Sequence, residues 1–113
     1  MSEVTNSNVD PTILKVRGDK TFDGNKEQSK EYVKGLASAV LTVIGKHGSA
    51  KLKCVGNAAL GNAYKAFCIA RGDASKKGVD LVNRGFFGTA DFDGTEKTAI
   101  IMQIESVSNV VKS

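Results

Sequence analysis

The hydrophobic period changes twice between Val33 and Ala70, and that narrows the fold more than any other feature of the chain. Val33, Leu36, Ala37, Val40, Leu41 and Ile44 recur at spacings of three and four, which makes one apolar stripe on an α-helix. Residues 50–55 (AKLKCV) then alternate: Ala50, Leu52 and Cys54 point one way, Lys51 and Lys53 the other, as in a half-buried strand. Leu60, Ala63, Tyr64, Phe67, Cys68 and Ala70 return to the helical spacing. A single strand between two one-sided helices needs partner strands to form a stable layer. The flanks supply them. Residues 12–17 (TILKVR) form a short β-type run. A longer strand starts at Val79 and continues, interrupted near Gly85 and Gly88, to Phe92. Asp93-Gly94 is a type I′ hairpin signal, and residues 98–105 give a last strand with Ile100, Met102 and Ile104 on one face.

Local signals set the boundaries. Glu27 and Glu31 suit the positive end of the first helix, and Lys46, His47 and Gly48 close it. Asn57 is a suitable N-cap for the second helix, which runs to about Arg71 and is ended by Gly72. The order is β-α-β-α-β-β. The fold class is α+β, a four-stranded mixed sheet with two helices on one face and the other face partly open. Residues 1–11 read as a flexible tail, 12–106 as the single domain and 107–113 as a second tail, with residues 18–26 a long loop rich in Gly, Asp and Lys.

At 113 residues the chain suits one domain, and its 41% hydrophobic and 25% charged content is ordinary for a globular protein. No apolar run approaches the ~18 residues of a membrane span. Residues 1–10 are polar, so the expected location is intracellular, cytoplasmic or associated with the nucleoid or nucleus, and not secreted. Cys54 and Cys68 lie in apolar surroundings and read as two reduced, buried thiols. Without a CxxC motif, and with His47 the only histidine, no metal site is expected. The strings GNAALGN and RGFFGTADFDG fit neither a P-loop nor a dinucleotide fingerprint, and His47 has no triad partner by spacing. No enzymatic activity and no cofactor are expected.

The charge is segregated. From Tyr32 to Gly72 there are six basic residues and no acid, and the wider stretch 24–77 carries a net +7 against −3 for the remainder. Such a field favours a polyanion. The expectation is that folding gathers these lysines into one continuous cationic surface. Lys51 and Lys53 either make the open sheet face positive or guard an edge strand against unwanted pairing.

Residues 55–72 (VGNAALGNAYKAFCIARG) resemble the second-helix signature of the stage V sporulation protein S family, in a Gly-x-x-Ala start, an Asn-Ala-x-Lys-Ala centre and an Ile-Ala-Arg-Gly end. Leu14-Lys15-Val16, Gly78-Val79-Asp80-Leu81-Val82 and Glu96-Lys97-Thr98-Ala99-Ile100 agree in order, so the resemblance spans about residues 13–105. It implies an Alba-like fold, a homodimer, and binding of DNA or RNA without a cofactor. It also implies that lysines of the loop after the first strand meet phosphates and that the last hairpin reaches along a groove. The chain departs from that pattern in a longer first loop holding Asp19 and Asp23 beside Lys20 and Lys26, and in an acidic hairpin with Asp91, Asp93 and Glu96.

On this basis Lys15, Arg17, Lys20 and Lys26 are candidate phosphate contacts, against a plain solvated loop as the alternative. The start of the second helix is a natural anion site, to which Asn57 and Asn62 would add hydrogen bonds unless they are a simple cap and a solvent-facing amide. Lys65 would extend the positive face. Phe86, Phe87 and Phe92 suit a dimer contact or the core better than a base-stacking platform. The expected function is largely sequence-independent nucleic-acid binding as a homodimer. The alternative is a protein-interaction or assembly module of the same fold, and no membrane partner is expected.

Overall fold

The computed structural model describes residues 10–18, 26–92 and 94–108. The elements are β1 (Ile13–Val16), α1 (Lys26–His47), β2 (Ser49–Cys54), α2 (Asn57–Ser75), β3 (Val79–Phe92) and β4 (Thr95–Ser108). The strand order is β1-β2-β4-β3, with β1 parallel to β2 and the other pairs antiparallel. This is the expected α+β architecture with a mixed sheet. Among the described residues no helix is long and apolar enough to cross a membrane.

The alternation in β2 decides where the layers meet. Ala50, Leu52 and Cys54 are fully buried against both helices, together with Met102 and Ile104 of β4 and Leu81 of β3. From α1 come Val33, Leu36, Ala37 and Val40; from α2 comes a seam of alanines (Ala59, Ala63, Ala66, Ala70, Ala74) with Phe67. Alanine at each turn lets the α2 backbone approach its neighbours closely. Tyr64 and Cys68, expected on this seam, are exposed, because both lie on the opposite arc of the helix.

Three boundaries differ from the expectation. The cap of α2 falls on Gly56 (φ +91), no side chain caps the helix, and Asn57 is its first helical residue. The helix continues through Gly72 to Ser75, and the positive-φ glycine comes later, at Gly78 (φ +80). A glycine stops a helix only where the backbone turns left-handed, and at Gly72 it does not. The hairpin is also longer than its apolar residues indicate. Every residue of β3 pairs with β4, from Val79 opposite Ser108 to Phe92 opposite Thr95, so Gly85 and Gly88 do not interrupt the ladder. Since β2 pairs no further than Cys54 opposite Ile100, the last five residues of β3 run beyond the sheet body by about 17 Å at strand rise.

The chain ends also differ. Asp10 opens β1: its carboxylate accepts from the Thr12 N–H (2.9 Å) and hydroxyl (2.6 Å), which brings residues 10–11 into the fold. β4 continues to Ser108, past the expected limit of the domain. The other tail residues, 1–9 and 109–113, lie outside the described residues, as do Lys20, Asp19, Asp23 and Asp93.

Candidate nucleic-acid interface

The pleat assigns each strand residue to one of two faces. Directly paired residues share a face, so one row across the open face reads Lys15, Lys53, Ile101, Phe86, and the next reads Ile13, Lys51, Gln103, Arg84. Lys15 is exposed and Lys53 half-buried beside it. Among the described residues neither forms an ion pair. The two lysines therefore make this part of the face locally cationic. Lys51 completes the triangle, but Asp10 lies 3.6 Å from its ammonium group. The Thr12 hydroxyl and N–H, and then Lys51, hold the Asp10 carboxyl below its ordinary range. Farther across, Arg84 is bound to Glu105 at 2.7 Å and Gln103 donates to the other Glu105 oxygen at 2.5 Å. The open face therefore has a cationic half on β1 and β2 and an internally neutralised half on β3 and β4.

A second group forms where β1 ends. The Arg17 N–H donates to the Tyr32 hydroxyl (2.9 Å), the Asn62 side-chain amide donates to the Arg17 carbonyl (2.9 Å), and the guanidinium lies 5.0 Å from the centre of the Tyr32 ring. Gly18 packs on Ala58 and Ala59, where an added Cβ would come within 3.3 Å of the Ala58 methyl group. The chain thus covers part of the first turn of α2. A shallow groove of about 460 Å³ beside Arg17 is lined by Glu27, Gln28, Glu31 and Tyr32, and its two glutamates make it a poor phosphate seat.

The seven candidate residues are accordingly dispersed. Lys15 joins Lys53 and Lys51 on the open face; Arg17 sits at the end of β1; Lys26 begins α1 and is exposed. Asn57 and Lys65 are exposed on α2, and Lys20 lies outside the described residues. Asn62 is 2% exposed and spends its amide on the Arg17 carbonyl, so it is an internal clamp and not a solvent-facing contact.

The expected continuous surface is also divided. Lys51 and Lys53 face one side of the sheet, while Lys34 and Lys65 lie on the helix layer and Arg71 is paired with Asp80 at 2.9 Å. Since β2 lies inside the sheet, its lysines guard no edge. Grouping Lys15 with the loop lysines by sequence order missed its true neighbour. The usable signal was strand parity, which places Lys15 opposite Lys53 once β1 and β2 are paired in register.

Phe86 and Phe87 are 45% and 79% exposed and point to opposite faces, so neither is core. The family model for stage V sporulation protein S (SpoVS) matches residues 26–107, which takes in both helices, the strand between them and the long hairpin, and begins after β1 and its loop. With most of its length matched in this way, the chain belongs to the stage V sporulation protein S family.

Proposed function

We propose that the protein binds nucleic acid through its phosphates, largely without regard to sequence, as a homodimer and without catalysis. The observation that carries this reading is the Lys15–Lys53 pair on the open sheet face, two lysines opposite each other in the strand register, with Lys51 on the same face and no ion-pair partner for either of the two among the described residues. Phosphate contacts position a protein on a strand without reading its bases, which accounts for sequence tolerance. The homodimer is supported by β3, among the described residues a 14-residue edge strand paired on one side only, and by its exposed Phe87 ring. Long bare edges are sites of self-association.

The alternative, an assembly module without nucleic acid, draws on the same edge and on Tyr64, 51% exposed on α2. A gel shift at low salt separates the two, because even non-specific binders associate there. A shift with duplex DNA, single-stranded DNA or RNA is expected. Failure of all three to shift at low salt refutes the binding assignment and leaves the assembly module.

A further inference from the structure

The geometry points to a single-strand site on the open sheet face, with phosphates held by Lys15 and Lys53 and a base stacked on Phe86. This deepens the nucleic-acid reading and rests on it. Lys15, Lys53, Ile101 and Phe86 occupy one row across the four strands. With strands about 4.8 Å apart, Phe86 stands about 10 Å from Lys53, two strands away. Between them Ile101, only 7% exposed, forms an apolar floor. Its side chain leans over Gly88, where a Cβ would come within 2.9 Å of Ile101 Cγ1 and Cδ1. The hairpin side of Phe86 is thus filled by Ile101 over Gly88, with Ala99 and Ala90 buried beyond it, and the ring, 45% exposed, stands above this apolar strip. On the other side Arg84 is tied to Glu105.

Cation and aromatic are thus separated across the strands, with an apolar strip between them. A duplex offers phosphates to such a face but keeps its base faces inside the stack. Only an unpaired strand presents a phosphate and an open base face together. The only side-chain hydrogen-bonding groups in this row are the two ammonium groups assigned to phosphates, so stacking here tolerates any base.

The chain contains no tryptophan, so Phe86→Trp places a sole tryptophan, excited selectively over Tyr32 and Tyr64, at the proposed contact. Titrating this variant with an oligothymidylate of about 16 nucleotides should quench its fluorescence while affinity stays near that of the unaltered protein. Phe86→Ala should weaken the same oligonucleotide about tenfold, with the salt slope unchanged and affinity for a duplex of equal length unchanged. Sedimentation of both variants should match the unaltered protein. Absence of quenching at saturation, or Phe86→Ala binding the single strand as tightly as before, overturns the site. So does an equal loss on duplex, or a change of oligomeric state, since Phe86 would then serve folding or self-association. If Lys15→Ala with Lys53→Ala still weakens binding in those cases, the wider nucleic-acid reading stands. Absence of binding to either oligonucleotide at low salt removes both.

Discussion

Cys54 and Cys68 share a residue type and sit in opposite environments. Cys54 is 1% exposed beneath the helices, its thiol directed at the Leu52 carbonyl at 3.8 Å, and burial pushes its pKa up to about 11 from 9.0. Cys68 is exposed on α2. The thiolate is the reacting form, so at mildly alkaline pH a thiol reagent should label one group quickly in the folded protein and the second only on unfolding. Cys68→Ser should abolish the fast phase, and two fast thiols would contradict this. Because the unfolded chain releases the Cys54 proton first, stability should fall as pH rises from 9.0 towards about 11. Cys54→Ala should flatten that fall in chemical denaturation. Asn62 is the other residue whose surroundings decide its role. Asn62→Ala removes the part-buried bond to the Arg17 carbonyl and should cost about 0.5–1.5 kcal/mol, read as a lower melting temperature. Asn57→Ala, at an exposed position without a cap bond, should cost much less. An asparagine in a helical run reads as polar and outward. Its place three residues after Ala59 and four before Ala66 was the signal that it faces inward.

At the scale of elements, periodicity carried far. The stripe of α1 and the alternation of β2 were legible because each repeats one rule over several residues. Single glycines were not. Gly72 and Gly78 look alike as stop signals, yet only Gly78 has a positive φ, at +80, whereas a Cβ on Gly72 meets nothing within 4 Å. Gly72→Ala should therefore stabilise the protein by up to about 1 kcal/mol, and Gly78→Ala should destabilise it by about 1 kcal/mol. Thermal unfolding of the two variants measures both, and the opposite order would restore Gly72 as the end of α2. The length of the hairpin was hidden for a related reason. Residues 95–97 (TEK) and 106–108 (SVS) carry no clear apolar alternation, and their pairing follows from the partner strand.

At the scale of the molecule, the sheet separates what the sequence lists together. A basic run from Tyr32 to Gly72 suggests one surface, but residues of β2 and of the two helices face opposite sides of the same layer. The cationic triangle of Lys15, Lys51 and Lys53 needs β1, which lies outside the matched span of the family model. Self-association belongs to this scale as well. Phe87→Asp places a charge at an aromatic of β3 that is 79% exposed and should shift a dimer to monomer in sedimentation velocity, with little change in melting temperature. An unchanged sedimentation profile would place the dimer contact elsewhere. Nucleic-acid binding is tested most directly by the salt dependence of affinity for single-stranded DNA in Lys15→Ala/Lys53→Ala, with Lys34→Ala/Lys65→Ala on the helix layer as the control. Loss of two phosphate contacts should flatten the log–log slope by about 1.4 in the first variant and leave the control near the unaltered protein. A slope unchanged in the first variant, or flattened equally in both, would contradict an anion seat on the open sheet face.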